Sequence, residues 1–175
     1  RVSLGGELVG YAILAFASVG FMVRRDVRGT LERLGIRPIP SGHIAIIAIG
    51  VIALWVLNSG ADWIERTFLH DLWLRDQQFN ESIASSLGPA RILLLGLSAG
   101  IGEEITLRGA LQPKFGLVPT SLLFGALHIQ YSWFGIAVIC LLGLTLGAIR
   151  AKASTSAAMV VHALDDIIAV FSTGP

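Results

Sequence analysis

The sequence contains few charged residues and almost no cysteine. Asp, Glu, Lys and Arg make up 14% of the 175 residues, whereas apolar residues make up 54%. A soluble domain has about 25% charged and about 45–50% apolar residues. Cys140 is the only cysteine, so an internal disulfide is excluded and the redox compartment stays undefined. We interpret Cys140, which lies within an apolar run, as a packing residue.

Long basic tracts are also missing from the sequence. The formal net charge is +1, and no basic run is interleaved with aromatic residues. A nucleic-acid partner is therefore not expected. The chain begins at Arg1 rather than Met, which is compatible with a fragment of a longer protein. No small-residue cleavage site follows the first apolar run, so we do not predict a signal peptide.

The apolar residues that are present fall into long runs, which predict an all-α, polytopic transmembrane bundle. A spanning helix requires about 20 mainly apolar residues. Several runs are apolar on all sides, as expected for lipid-facing helices rather than for the amphipathic helices of a soluble core. The predicted spans are about Leu4–Val23, His43–Leu57 with a continuation toward Ile64, Pro89–Leu111, Leu117–Gln130, Trp133–Ile149 and Ser154–Phe171.

The charges between these six spans predict the orientation of the chain, because basic residues are enriched on the cytoplasmic side. Three basic groups fall on one side of the predicted spans: Arg24, Arg25, Arg28, Arg33 and Arg37; Arg108 and Lys114; Arg150 and Lys152. We predict a multi-pass protein of the cytoplasmic (inner) membrane, with these residues on the inside.

The opposite side holds the acidic segment Asn58–Gly88. Within it, Ile64, Phe68 and Leu72 recur every four residues, and two tryptophans lie nearby. This pattern predicts a short amphipathic helix on the non-cytoplasmic membrane surface. A plain loop anchored by aromatic residues is the alternative.

The chain is expected to form one integrated membrane domain with two parts. Residues 1–88 hold two spans and the outer segment, and residues 89–175 form a four-span core that carries the polar motifs. Two G-x-x-x-G spacings in this core, at Gly96 and Gly100 and at Gly143 and Gly147, permit close helix packing.

Ionisable residues interrupt three of the core spans. They are Glu103, Glu104 and Arg108 in the third span, His128 in the fourth, and His162, Asp165 and Asp166 in the sixth. A charge at the centre of a spanning helix costs about 2.5–3.5 kcal/mol on insertion scales. These side chains are therefore expected to face one another or a hydrated cavity.

The three interrupted spans place their polar groups at a similar depth. Measured from the cytoplasmic side, Glu103 lies eleven residues from Lys114, His128 eleven from Leu117 and His162 ten from Lys152. At 1.5 Å per residue this is about 15–16 Å, near the middle of a hydrocarbon core about 30 Å thick. The agreement predicts a single shared site.

Spacing within the helices indicates different roles for these groups. Glu104 and Arg108 are four residues apart and can form a buried structural pair. Glu103 points about 100° away and has no cation four residues on, so it is the freer carboxylate and suits general acid or base catalysis. His162 and Asp166 also share a helix face.

Simpler interpretations compete with a catalytic role. A single histidine in a span, such as His128 or His162, is more often a hydrogen-bonded packing residue. Asp165 is interpreted as a supporting or loop-facing group. The joint occurrence of Glu103, His128, His162 and Asp166 favours chemistry.

Several motifs of other hydrolases are missing. There is no H-E-x-x-H zinc helix, and the residues after Ser98 do not form a G-x-S-x-G turn. No two spans each contribute an aspartate, so an aspartyl dyad is not predicted.

Three motifs occur in order, each in its own span. They are E-E-x-x-x-R at Glu103, Glu104 and Arg108, F-x-x-x-H at Phe124 and His128, and H-x-x-x-(N/D) at His162 and Asp166. Together they resemble the CPBP family of CAAX proteases and bacteriocin-processing proteins, also called the Abi or type II CAAX prenyl protease family. The resemblance covers about Arg91–Phe171.

This resemblance implies an intramembrane endopeptidase of the glutamate type. Glu103 and His128 would activate the attacking water, and His162 and Asp166 would stabilise the oxyanion. Glu104, Arg108 and Phe124 would support the geometry. The expected partners are the lipid bilayer and a membrane-associated protein or peptide substrate, with no cofactor.

Two residues depart from the family pattern. Asp166 stands where many members carry Asn, and an ionised Asp cannot donate a hydrogen bond to an oxyanion. Asp166 would have to be protonated, or it would orient His162 instead. Leu107 replaces an aromatic residue that often precedes the Arg, which should affect packing only.

Three rival hypotheses remain at the level of sequence. Glu103, His128 and His162 could be zinc ligands with an open fourth position. The chain could be a non-catalytic partner, such as a bacteriocin-immunity protein that keeps the protease fold. It could also be a proton-coupled transporter, although no inverted repeat is visible.

Overall fold

The computed structural model describes residues 4–172, apart from the side chains of residues 4, 5, 7, 84, 86, 89 and 172. The regular structure in this part of the chain is helical, which confirms the predicted all-α class. The helices are α1 (Leu4–Ser18), α2 (Val27–Leu34), α3 (Ile44–Phe68), α4 (His70–Ser86), α5 (Pro89–Glu104), α6 (Gln112–Phe115), α7 (Leu117–Ala126), α8 (Trp133–Lys152) and α9 (Thr155–Ser172).

Within residues 4–172, two helical segments are long and apolar enough to cross a membrane, Ser41–Phe68 and Trp133–Lys152. Large apolar side chains are also exposed on each of the helices named above; examples are Leu14, Ile52, Leu94, Leu122 and Leu141. A soluble monomer rarely exposes so much apolar surface, whereas lipid covers it. The arrangement of six spans stays a prediction.

The first predicted span is wrong at its carboxyl end. We expected helix through Val23, but α1 ends at Ser18 and the chain then turns. Gly20 and Met22 adopt the left-handed conformation, with φ of 81° and 60°, which a helix cannot contain. Hydropathy remains high here, so the sequence pattern did not mark the turn.

The second span and the outer segment also differ from expectation. α3 runs through to Phe68, past the continuation toward Ile64, and Leu69 then leaves the helical conformation with φ −131° and ψ 46°. α4 starts at His70, so Ile64 and Phe68 lie on one helix and Leu72 on another. The prediction that one amphipathic helix carries all three residues is therefore wrong, and the alternative prediction of a plain loop is also wrong. A position of α4 at the membrane surface stays a prediction.

The third span is not one regular helix. α5 ends at Glu104, and Ile105–Leu111 forms a π-helical segment that leads into α6. Pro113 has no N–H group, so the carbonyl of Gly109 loses its α-helical donor four residues on. The guanidinium of Arg33 donates to that carbonyl instead, at 3.2 Å. π-Helical segments are frequent at functional sites.

The fourth span is shorter than predicted. α7 ends at Ala126, and residues 127–132 form a turn that contains His128. Ser132 ends this turn by capping α8, because its hydroxyl oxygen accepts a hydrogen bond from the Gly135 N–H at 3.0 Å. α8 extends to Lys152, three residues past the prediction, whereas α9 matches its predicted span within one residue.

The predicted close packing at glycine is confirmed. A Cβ atom added at Gly100 would lie 2.6 Å from the backbone nitrogen of Ala163, so α5 and α9 are almost in backbone contact. A Cβ at Gly143 would lie 3.0 Å from the ring of Phe124, where α8 meets α7. These approaches draw together the helices that carry the ionisable residues.

Residues from all three basic groups lie at the same end of the bundle, but Arg108 is not among them, because its side chain is buried against Glu104. Arg33 bonds to Gly109 and Arg37 to the carbonyl of Ala153, so the segment around α2 contacts both other basic regions. The hydroxyl of Thr155 donates to the carbonyl of Leu34 at 2.6 Å. α4 and the turn 127–132 lie at the opposite end. The assignment of these ends to membrane sides stays a prediction.

Candidate active site

A fully buried ion pair forms the centre of the candidate site. Glu104 Oε1 lies 3.0 Å from Arg108 Nη1, and the two side chains are 0% and 1% exposed. Arg108 Nη2 also donates to the carbonyl of Gly143 at 3.3 Å, which links this pair to α8. The predicted pairing of Glu104 with Arg108 is confirmed, and it compensates two charges that burial alone would make costly.

The same carboxylate oxygen holds a histidine from another helix. His162 Nδ1 lies 2.9 Å from Glu104 Oε1. A carboxylate ionised beside Arg108 can only accept hydrogen bonds, so we assign a proton to Nδ1 of His162. The Nε2 atom of the ring then faces away from Glu104. Sequence reasoning did not find this bond, because spacing within one helix carries no information about a partner on another.

Asp166 lies beside the free side of the His162 ring. Its Oδ2 atom is 3.6 Å from His162 Nε2, and its side chain is 28% exposed. The predicted shared face of His162 and Asp166 is confirmed. The neighbouring Asp165 also lines the cavity, and it accepts two hydrogen bonds from Asn58 Nδ2, at 3.0 and 3.2 Å. Asp165 therefore ties α9 to α3 and does not face a loop.

Phe124 joins the three motifs. Its ring packs edge-on against the rings of His128 and His162, with centroid distances of 4.9 and 5.6 Å. The guanidinium carbon of Arg108 lies 4.5 Å from the centroid of the same ring. This cation–π contact stabilises Arg108 in a buried position. One aromatic side chain thus separates and orients the two histidines.

His128 reaches the site from the turn after α7. Its Nδ1 atom lies 2.8 Å from the carbonyl oxygen of Phe124. A carbonyl only accepts, so Nδ1 carries a proton, and Nε2 of a neutral ring is left as a proton acceptor. The side chain is half-buried, which leaves this nitrogen within reach of a cavity.

Glu103 takes a less central position. It is half-buried, and it is close enough to interact electrostatically with both His162 and Asp166. His128, His162 and Asp166 line a cavity next to the site, whereas Glu103 does not. Six of the seven predicted site residues are therefore joined by direct contacts, and Glu103 by charge interactions.

The cavity has a volume of about 650 Å³ and lies among α3, α4, α8 and α9. This volume falls in the usual range of ligand pockets, about 300–1,000 Å³. Phe124 and His162 line its inner end, and Trp73, Asp76 and Tyr131 line its outer end beside α4. The cavity therefore reaches the site from the end opposite the basic groups.

The zinc hypothesis has no geometric support in the part of the chain that the structure describes. No group of three or more His, Cys, Asp or Glu side chains is arranged there to hold a metal ion. Zinc requires at least three protein ligands within about 2.3 Å of the ion. Coordination by Glu103, His128 and His162 stays a hypothesis that a chelator can test.

The fold and the site define an all-helical protein with an apolar outer surface and buried carboxylate–histidine pairs at the end of a cavity. Comparison with known proteins extends this description. The family of type II CAAX prenyl endopeptidase Rce1-like proteins matches residues 85–168, which hold all three motifs. The chain belongs to this membrane-integral protease family, which confirms the resemblance to CPBP proteins.

A relative supports the assignment beyond the motifs. The protein named "Uncharacterized protein YpbD" of Bacillus subtilis (strain 168) is 30% identical to the chain over 137 residues. The similarity covers 77% of this chain and 69% of that protein. No solved structure matches the chain. The similarity to the Bacillus subtilis protein extends over more residues than the family match, so it also includes part of the chain before the three motifs.

Proposed function

We propose that the protein is a multi-pass intramembrane endopeptidase of the glutamate type that hydrolyses a peptide bond of a membrane-associated protein or peptide. One observation carries the proposal: His128, His162 and Asp166, from a turn and a helix far apart in sequence, line the inner part of one cavity. Membership of a CAAX-type protease family supports the reaction class. The electrostatic interactions of Glu103 with His162 and Asp166 support its place beside the reacting groups.

Water activation is assigned to Glu103 and His128. The carboxylate of Glu103 accepts a proton from water, and the Nε2 atom of His128 orients the same water by a hydrogen bond. The water oxygen then bonds to the carbonyl carbon of the scissile peptide, and the carbonyl oxygen becomes an oxyanion. When the carbon–nitrogen bond breaks, the protonated Glu103 returns its proton to the leaving amine.

Oxyanion stabilisation is assigned to His162 and Asp166. Since His162 Nδ1 already donates to Glu104, His162 can donate from Nε2 only as an imidazolium, with two protons on the ring. A cation at this point stabilises the developing negative charge directly. Arg108 holds the Glu104 carboxylate in place, so the pair Glu104–Arg108 positions the ring. Asp166 contributes a second donor when it is protonated.

The membrane arrangement is part of the proposal. Six spans with the basic groups inside place the cavity mouth and α4 at the non-cytoplasmic end. The common location of three separate basic groups at one end of the bundle supports this orientation. A peptide substrate would then enter beside α4 and reach His128 before His162.

Substitution of Glu103 tests the proposal. Purified protein in liposomes is incubated with two peptide probes, a farnesylated CAAX peptide and an unmodified single-span peptide, and cleavage is followed by mass spectrometry. We expect Glu103→Gln to reduce kcat at least about 100-fold, as loss of a general base does. Glu81→Gln, on the exposed face of α4, is the matched control and should retain activity. Equal processing by wild type and Glu103→Gln overturns the proposal.

A further inference from the structure

The turn that carries His128 is held from outside by α4. The backbone N–H of Ser132 donates to Asp76 Oδ1 at 2.8 Å, and the hydroxyl of Tyr131 donates to Asn80 Oδ1 at 2.8 Å. The ring of Phe79 packs edge-on against Tyr131, with centroids 5.2 Å apart. Burial raises the pKa of Tyr131 to about 12, so its hydroxyl stays protonated and remains a donor.

Asp76 occupies a buried position at the start of α8. Asp76 is only 6% exposed. A Cβ atom added at Gly135 would lie 2.7 Å from Asp76 Oδ2. The carboxylate therefore sits against the first turn of α8, where unpaired N–H groups and the helix dipole favour an anion. Ser132 is itself fully buried, and its hydroxyl donates to Glu65 Oε1 at 3.2 Å.

The turn is too short to move independently of these contacts. Only residues 127–132 separate α7 from α8, and His128 is the second of them. The N–H of Tyr131 donates to the carbonyl of His128 at 3.1 Å, and the N–H of His128 donates to the carbonyl of Gly125 at 3.0 Å. A displacement of Ser132 is therefore transmitted through Tyr131 to His128.

We propose that Asp76 is a positioning residue for His128, acting through the Ser132 N–H and the turn 127–132. This inference rests on the proposed catalytic role of His128. Asp76 does not touch the reacting groups; it fixes the point at which α8 begins, and thereby the direction of the His128 ring. Asp76 also lies before residues 85–168, so the family motifs do not include it.

Two substitutions at residue 76 separate positioning from charge. Asp76→Asn keeps a side-chain oxygen that accepts the Ser132 N–H, whereas Asp76→Ala removes it. With the peptide that the wild type cleaves, we expect Asp76→Ala to lower kcat about 10- to 100-fold, because a displacement of about 1 Å has this effect, and to leave KM within about two-fold. Asp76→Asn should stay within about three-fold of wild type in kcat. Glu81→Ala on the same helix is the control and should leave both constants unchanged.

A double-substitution cycle distinguishes positioning from general destabilisation. If Asp76 acts through His128, then Asp76→Ala should cause no further loss of kcat in the His128→Ala background. Hydrogen exchange supplies a readout that does not depend on activity. Amides of residues 124–135 should exchange faster in Asp76→Ala than in wild type, and at the wild-type rate in Glu81→Ala.

A milder variant covers the case in which Asp76→Ala does not fold. Tyr131→Phe removes only the hydroxyl that donates to Asn80, and we expect a loss in kcat of about 3- to 10-fold without change in KM. Wild-type kcat in Asp76→Ala or in Tyr131→Phe overturns the inference, as does an equal loss in Asp76→Ala and Asp76→Asn. Full activity in His128→Ala would instead overturn the catalytic role of His128 in the proposed function, on which the inference about Asp76 rests.

Discussion

The Nδ1 atom of His162 lies 2.9 Å from Oε1 of Glu104, although the two residues are separated by 58 positions in the chain. The same oxygen also faces Arg108, so this carboxylate joins α9 to the end of α5 and the π-helical segment after it. The bond defines which nitrogen of His162 is available to a substrate. It also gives the second glutamate of the E-E-x-x-x-R motif a role distinct from that of Glu103.

We expect Glu104→Gln to impair both catalysis and folding. The neutral amide cannot balance Arg108 and an imidazolium at His162, so oxyanion stabilisation should weaken and kcat should fall about 100- to 1,000-fold. Loss of one partner from a buried ion pair should also lower the free energy of unfolding by about 3–5 kcal/mol. Steady-state kinetics and thermal unfolding in detergent measure the two effects. A variant with wild-type kcat would show that His162 does not act as a cation.

Asp166→Asn is expected to retain or increase activity. The amide donates a hydrogen bond without having to be protonated, and Asn is the residue that many CPBP members carry at this point. Asp166→Ala, which removes the group, should lower kcat about 10- to 100-fold. Comparison of kcat for the two variants decides the role. Inactivity of both would mean that the carboxylate itself is required to orient His162.

Gly100→Ala should destabilise the bundle. The new methyl group would lie 2.6 Å from the backbone of Ala163 and force α5 away from α9, at a cost of about 1–3 kcal/mol. Gly60→Ala in α3 is the matched control, because nothing lies within 4 Å of its added methyl group. Alanine there should be neutral or stabilising by up to about 1 kcal/mol. Thermal unfolding of both variants tests the close approach, and equal melting temperatures would contradict it.

Cysteine labelling tests the predicted orientation. Gly42 and Gly88 lie at opposite ends of the bundle, and an added side chain at either would meet no atom within 4 Å. In a Cys140→Ala background, an impermeant maleimide added to spheroplasts should label Gly88→Cys. Gly42→Cys should react only after the membrane is permeabilised. The reverse pattern would place the cavity mouth on the cytoplasmic side.

Chelation should not affect cleavage. The proposed mechanism uses carboxylate and imidazole groups to activate water, so excess EDTA or 1,10-phenanthroline should leave kcat unchanged. Inhibition by both chelators, with activity restored by added zinc, would favour coordination at Glu103, His128 and His162. The same assay with a non-chelating isomer of phenanthroline, which has the same aromatic skeleton, controls for direct inhibition.

The site could be predicted only in part. Equal depth of Glu103, His128 and His162 indicated one site, and the contacts of Phe124 with His128 and His162 join their helices. The position of Glu103 beside the site rather than in the cavity lining was not predicted, because depth fixes height along a helix but not the direction of a side chain. The contact between α4 and the turn 127–132 was also not predicted, because no motif or spacing in the sequence links Asp76 to Ser132.

The sequence by itself determined the helical class, the grouping of basic residues at one end and the three motifs of the family, because hydropathy, charge and spacing are local properties. The tertiary structure decided that Glu104 binds His162, that α5 becomes π-helical after Glu104, and that Asp76 holds the turn of His128. These features depend on how each helix is rotated and how closely neighbours approach, as at Gly100, and packing between distant segments sets both.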